Sequence, residues 1–341
     1  MKVVVRSTNW IGDTVMSIPA LKEIRRIFAD AEITLCARSW AKEMLEGADF
    51  IDEIIAFDKG NNPTKNFLKQ AKLWHEKKFD IAIILPNSFG SALLAKLGGV
   101  KQSFGYATEK RSFLLTKSFP VPKWKSERHE AFFYLNLVAE IEKALSGKSS
   151  VSAEIPTPEI PVPEERRKRA LEILESYGVD SSRKLVALGV GSTNSLAKRW
   201  HTDGYAELND LLQSELNVNV LLLGSKDETN VAEEVFSKAK LKPVNLVGKT
   251  SLGEAIGILT AVDLLISNDM GLAHIAPAVG TKTLVIFGPT NEKTSRPIGS
   301  EIIRKNVECA PCMLRICPID HRCMKLISAK EVLSKALQLL T

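Results

Sequence analysis

The chain has 341 residues, 45% of them hydrophobic and 25% charged, the balance of a globular protein large enough to fold without disulfide or metal staples. Disorder, collagen and coiled coil are excluded as descriptions of the whole, and at roughly 150 residues per domain the length suggests two domains. The net charge is +6, and all of it lies in residues 1–150, where 23 Lys+Arg stand against 17 Asp+Glu, so an anionic partner is expected on the N-terminal half.

The opening Met1-Lys2-Val3-Val4-Val5-Arg6 has three apolar residues between charges, too short a run for a secretory leader. No segment approaches the roughly 18 uninterrupted apolar residues of a membrane span. Five cysteines are too few and too unevenly placed for a secreted disulfide framework, so a cytoplasmic protein is expected.

In chain order, residues 2–6 read as a short buried strand, followed by a loop and a helix over 14–28. Strands are expected at 33–36, 53–57 and 81–85, with helices at 41–46, 64–75 and 91–97. Short apolar runs alternating with amphipathic stretches predict a parallel sheet wrapped by helices. Residues 146–164, SGKSSVSAEIPTPEIPVPE, carry four prolines and no helical period, and read as an extended linker. The alternation resumes with strands at 185–188, 218–223, 244–246, 264–266 and 283–287. Ser251-Leu252-Gly253-Glu254 has the form of a capping box, and 328–340 is an amphipathic helix. The expected organisation is an N-terminal domain 1–145, linker 146–164, a C-terminal domain 165–327 and a final helix 328–341. Both domains are doubly wound α/β units, with ligands expected at the C-terminal ends of the strands.

Three loops at such ends carry chemistry. Ser7–Asp13 lacks the glycine triplet of a dinucleotide site, but places Asp13 beside a glycine at a helix start. Asp13 either caps that helix or acts as a general base on a hydroxyl. Gly189–Asn194, followed by Lys198-Arg199-Trp200, offers small residues, the hydroxyls of Ser192 and Thr193, and two cations, either a phosphate cradle or a solvated loop. Ser267–His274 enters a helix, so N–H groups near Met270 and Gly271 can hold a diphosphate, and His274 lies one turn in, as a ligand contact or a buried histidine. Together the loops are consistent with a nucleotide-diphosphate donor in one domain and a base in the other.

Four blocks carry a family likeness: NWIGDTVMSIPAL at 9–21, LPNSFGSAL at 85–93, AKRW at 197–200 and SNDMGLAHIAPAVGTKTLVIFGPT at 267–290. With them the chain resembles the lipopolysaccharide heptosyltransferases of glycosyltransferase family 9, and the first two blocks favour the type II branch over type I. The resemblance implies a GT-B architecture, two Rossmann-like domains facing across a cleft. It implies inverting, metal-independent transfer of heptose from ADP-heptose to the heptosylated Kdo2-lipid A inner core, with no cofactor required. By it Asp13 falls on the base and Lys198, with Arg199, on the holder of the donor diphosphate. Gly12, Ser192, Thr193, Asp269, Met270, Gly271 and His274 fall on the donor side. Asp227, Glu228 and Thr250 are candidate ribose contacts or solvated loop residues. Asn9, Trp10, Asn87 and Ser88 fall on the acceptor side. Met270 stands where the family often has a hydroxyl residue.

The stretch 101–128 carries seven cations against two carboxylates, interleaved with aromatics. Lys110 and Arg111 are expected to meet the acceptor's phosphates and acidic sugars and the anionic inner leaflet, placing the protein at the cytoplasmic face of the inner membrane; the alternative is a solvated loop with its aromatics in the core. Cys309, Cys312, Cys317 and Cys323, with His321 nearby, have ligands enough for a structural zinc, but lack a second CxxC. Reduced packed thiols are the favoured reading, and a disulfide the third. The competing functions are a type I or other core-sugar transferase, a GT-B nucleotide-sugar epimerase, and a non-catalytic nucleotide-sugar binding protein. No aromatic RNA motif or basic helix supports a nucleic-acid partner.

Overall fold

The computed structural model describes residues 1–58 and 60–341, which divide into two units, Met1–Pro158 and Glu159–Thr341. The first holds β1 (Lys2–Arg6), β2 (Glu32–Ala37), β3 (Glu53–Ala56), β4 (Ile81–Ile84), β5 (Gln102–Tyr106) and β6 (Lys117–Phe119). Every pairing is parallel and the order is β3-β2-β1-β4-β5-β6, with Val4 of β1 opposite both Thr34 and Ala82. Val3, Val4 and Val5 are fully buried because helices cover both faces, which is why this strand shows no polar alternation.

The second unit repeats the plan with β7 (Leu185–Gly189), β8 (Asn219–Leu222), β9 (Val244–Asn245), β10 (Leu264–Asn268), β11 (Lys282–Phe287) and β12 (Glu301–Arg304). Its parallel sheet runs β9-β8-β7-β10-β11-β12. Both sheets therefore have the doubly wound order 3-2-1-4-5-6, whose direction of winding reverses between the first and fourth strands.

The structure corrects the sequence reading in three places. Residues 101–128 are not loop throughout: β5 and β6 join the sheet, and Phe104, Tyr106 and Phe119 lie in the core, as the alternative reading of this stretch has its aromatics. These strands are five and three residues long and flanked by lysines, so their apolar positions are too few to show a period. β12 was likewise not anticipated, being a four-residue strand at a sheet edge with only intermediate burial. The first helix spans Ile11–Ile27 rather than beginning at Thr14. The N-cap position is held by Trp10 without a side-chain bond, so Asp13 does not cap the helix; it stands in the first turn.

The boundary at Pro158 lies within the proline-rich stretch, where no helix or strand forms between Gly147 and Pro163. The last helix, Ala329–Leu340, belongs to the core of the second unit. It packs on the helix Thr202–Leu216 and on β10 and β11, burying Val332, Leu333, Ala336 and Leu340. Trp200 fills the same core, its indole Nε1 donating to the Ile327 carbonyl at 3.0 Å.

Ser251 and Ser328 each form a capping box, with Glu254 and Glu331 respectively. In the second, the Ser328 Oγ accepts the Glu331 N–H at 3.3 Å and donates to its carboxylate at 2.9 Å. Replacing Ser328 with Ala is expected to destabilise the second unit by about 1 kcal/mol, read as a lower urea midpoint at unchanged slope.

Candidate active site

In the first unit the loop after β1 is held rigidly from below. Arg6, buried at the end of β1, donates to the Ser7 carbonyl at 2.5 Å, the Cys36 carbonyl at 3.2 Å and Asn9 Oδ1 at 2.8 Å, and its guanidinium lies over the Phe57 ring. Thr8 and Thr14 share a hydroxyl bond of 2.7 Å that closes the loop onto the helix. Asp13 is thereby fixed in the first helical turn, half-buried, where the helix dipole favours an anion. The Tyr134 hydroxyl, from the helix Glu130–Ser146, donates to Asp13 Oδ1 at 3.2 Å. Sequence reasoning missed Tyr134, which lies 121 residues away in a helix of ordinary core pattern.

The second unit gathers its loops at the ends of β7, β8 and β10. Asn268 joins them: its Nδ2 donates to the carbonyls of Val190 and Gly191 at 3.1 and 3.0 Å, and its Oδ1 accepts the Trp200 N–H at 2.9 Å. The approach requires glycine, since a Cβ at Gly191 would stand 2.0 Å from Glu228 Oε1, and one at Gly189 would stand 2.5 Å from the Ser267 Cβ. Glu228 is buried, with its Oε2 accepting from the backbone and hydroxyl of Ser225 at 2.8 and 3.0 Å. Burial pushes its carboxyl above the usual range despite those bonds.

The centre of this unit is Asp269. Lys198 Nζ meets its Oδ2 at 2.7 Å, the Thr290 hydroxyl donates to the same oxygen at 2.8 Å, and His274 Nε2 stands 3.8 Å from Oδ1. Burial pushes the Asp269 carboxyl up, but the His274 ring and the Lys198 ammonium overcome it and hold the group at about 2. Asp269 is therefore a permanent anion that fixes Lys198 at the mouth of the helix Gly271–Ala278. His274 Nδ1 and Thr250 Oγ1 are both buried polar atoms without a protein partner. The His274 orphan, in the first turn of that helix and beside the Asp269–Lys198 pair, suits an anionic, hydroxyl-rich ligand. Thr290 and Asn268 are the residues of this cluster that sequence reasoning missed, although both lie within the block 267–290.

The other expected residues divide. Ser192 is buried, with its carbonyl accepting from Arg199 Nε at 3.1 Å. Thr193 and Asp227 are exposed. Met270 is the N-cap residue and Gly271 opens the helix. In the first unit Trp10 and Lys110 are exposed, while Asn9 is taken up with Arg6 and Ser88 with Ser91. Gly12 lies beside Asp13 in the first helix turn.

Arg111 is a correction. It is 0% exposed, and donates to the carbonyls of Pro86, Ser88 and Tyr106 and to the Ser91 hydroxyl. Burial lowers its guanidinium to about 10. It ties the loops after β4 and β5 together and presents no charge to an acceptor or a leaflet. A cage of carbonyls, contributed by loops about 20 residues away in sequence, is not visible in a basic run. Cys309 and Cys312 are exposed, Cys317 is half-buried and Cys323 is buried, and all are free thiols. Among the described residues no group of three or more His, Cys, Asp or Glu side chains is placed to hold a metal ion.

Solved structures define the class. The chain superposes on the structure of E. coli ADP-heptose LPS heptosyltransferase II with a TM-score of 0.83 at 24% identity, covering 100% of this chain and 98% of that one. It superposes on the glycosyltransferase family 9 protein of Veillonella parvula with a TM-score of 0.87 at 23% identity, covering 99% and 97%. The fold is thus the pair of Rossmann-like units of GT-B glycosyltransferases. Residues 68–322 match glycosyltransferase family 9 (heptosyltransferase), and the chain belongs to that family. Among curated relatives, the lipooligosaccharide heptosyltransferase 2 of Campylobacter jejuni is 26% identical over 348 residues, covering 100% of this chain and 98% of the relative. The lipopolysaccharide heptosyltransferase 2 of Salmonella typhimurium is 27% identical, covering 87% and 86%.

The Asp269 cluster makes a pH-dependent prediction. A carboxyl held at about 2, against about 4 when unfolded, contributes stability that is fully present above pH 4 and lost as pH falls toward 2. Asp269→Asn is expected to lower the unfolding free energy at pH 7 by about 2 kcal/mol. The gap from wild type should narrow as the pH falls below about 4, as read by urea melts across that range.

Proposed function

We propose that the protein is an inverting heptosyltransferase that moves L-glycero-D-manno-heptose from ADP-heptose to the heptosylated Kdo2-lipid A inner core, the type II reaction. The observation that carries this reading is the Lys198–Asp269–Thr290 cluster with the orphaned His274 Nδ1 at a helix N-terminus, a seat for a sugar-nucleotide diphosphate. The type II assignment draws on the relatives of Campylobacter and Salmonella, both named heptosyltransferase 2. Type I or another core-sugar transfer is the second reading, because the family match names heptosyltransferases without fixing the acceptor.

As the glycosidic bond to ADP breaks, negative charge grows on the leaving diphosphate and an oxocarbenium-like sugar forms. Lys198 and the free N–H groups of Gly271 and its neighbours stabilise that charge as fixed dipoles and a fixed cation, so the reaction requires no metal ion. Asp13 removes the proton of the acceptor hydroxyl as it attacks. Glu228, Thr250 and Ser192 bind the nucleoside end; in Glu228, one carboxylate oxygen is already anchored by Ser225 and the other borders Gly191. The acceptor is met by Asn9, Trp10, Asn87, Ser88 and Lys110.

Peripheral contact with an anionic leaflet on the cytoplasmic side is part of the same proposal. Phe113 is 73% exposed and its ring lies 6.1 Å from that of Phe89, beside exposed Lys110, an apolar pair with a cation at the C-terminal edge of the first sheet. Among the described residues no helix is long and apolar enough to cross a membrane.

The test is heptose transfer from ADP-heptose onto purified Kdo2-lipid A and its mono-heptosylated form. Transfer to the heptosylated acceptor alone is expected, and transfer to Kdo2-lipid A would make the enzyme type I. Asp13→Asn should abolish turnover while ADP still binds. Lys198→Ala should lower kcat by roughly a hundredfold, the usual effect of removing one stabiliser of developing charge. Transfer to neither acceptor would refute the heptosyltransferase reading.

A further inference from the structure

The Asp13 carboxylate does not stand by itself, and the helix that holds it says how its geometry is set. Helix Glu130–Ser146 packs along helix Ile11–Ile27. One turn into it, the buried Tyr134 points its hydroxyl at Asp13 Oδ1, 3.2 Å away. Glu130 precedes Tyr134 by four residues, so the two side chains share a helix face. Glu130 is paired with Lys125, whose ammonium also sits 4.3 Å from the centre of the Phe133 ring. The ring of Tyr134 meets that of Phe133 edge-on at 6.3 Å, and Phe133 in turn stacks on Tyr106 at 4.1 Å. The tyrosine is thus clamped by packing, and its one hydroxyl is directed at one oxygen of the carboxylate.

We propose that Tyr134 is the positioning residue for Asp13, holding one carboxylate oxygen so that the group meets the acceptor hydroxyl in a single orientation. This rests on the reading of Asp13 as the general base. A base works best when its reacting oxygen is held in the geometry of attack, and a bond to the other oxygen restricts the carboxylate's rotation. The bond also stabilises the ionised carboxylate over the protonated one. Tyr134 keeps its proton throughout, because burial and the neighbouring carboxylates of Asp13 and Glu130 push the phenol well above its usual range. It serves as donor only and never competes as a base. On that helix Tyr134 and Glu130 both couple electrostatically to Asp13, with Lys125 pairing Glu130 from the loop before it. Lys125 favours the ionised Glu130 against the burial and the Asp13 charge that push that carboxyl up.

The test is Tyr134→Phe in the full chain, which keeps the ring and its contacts and removes only the hydroxyl. Two readouts are taken. In the transfer assay, kcat is expected to fall roughly tenfold, the loss of one hydrogen bond to a charged group, with donor and acceptor KM unchanged. In protein labelled at aspartate Cγ with carbon-13, the Asp13 resonance, assigned by its absence in Asp13→Asn, is expected to titrate at higher pH in Tyr134→Phe than in wild type. An unmoved Asp13 titration, or a kcat equal to wild type in an enzyme that Asp13→Asn inactivates, would overturn the proposal. A rise in KM with kcat unchanged would also overturn it, since it would mark a substrate contact. The base reading fails separately, if Asp13→Asn retains turnover; the titration then still decides whether Tyr134 holds the carboxylate.

Discussion

Parallel strands cannot be joined by a tight hairpin, so each crosses over through a helix, and the side on which it crosses decides where the loops go. In both sheets here the winding reverses between the first strand and the fourth, β1 and β4 in one unit, β7 and β10 in the other. The helices that follow those two strands lie on opposite faces, and the loops leading into them part at the strand ends. That gap is where Asp13 emerges in the first unit and where Gly191, Asp269 and Lys198 meet in the second. The chemistry follows from this one constraint, because neither loop has a partner of its own until the sheet brings its neighbour alongside.

The electrostatics of the two units differ in kind. In the second, a buried carboxylate is kept ionised by the His274 ring and the Lys198 ammonium, with the Thr290 hydroxyl bonded to it as well, so the charge is compensated within the cluster. In the first, the buried arginines Arg6 and Arg111 are solvated by carbonyls, and both show a lowered affinity for their proton from burial. A guanidinium with five donors in a fixed fork can replace water by bridging several chain segments at once. Arg6 does so for the loop carrying Asp13, and Arg111 for the loops after β4 and β5. Their positive charge is therefore part of the scaffold. The exposed cations, Lys110 among them, are what remain of the basic excess for a partner.

The family likeness reaches the Asp269 cluster through contiguous sequence, and the basic stretch of the first unit far less. The block 267–290 carries Asn268, Asp269, Gly271, His274 and Thr290 within a single strand–loop–helix–strand passage, so local spacing already brings most of the cluster together. The positive stretch 101–128 looked like an exposed patch because lysines flank each of its short strands. Its aromatics Phe104, Tyr106 and Phe119 are core, Trp124 is half-buried and Phe113 is exposed.

From the sequence by itself came the two α/β units, most strands, the proline-rich boundary, the capping boxes at Ser251 and Ser328, and the candidates Asp13, Lys198 and Asp269. All of these depend on periodicity or on residues within a few positions of one another, where chain connectivity fixes the geometry. Only the tertiary structure decided that Asp13 is a first-turn residue bonded to Tyr134, that Arg111 is interior, that Glu228 lies against Gly191, and that β5, β6 and β12 complete their sheets. Each of these joins residues far apart along the chain. An edge strand of three or four residues, a guanidinium bonded to carbonyls and a tyrosine in an apolar helix look alike in sequence whether or not a partner is there. Packing supplies the partner.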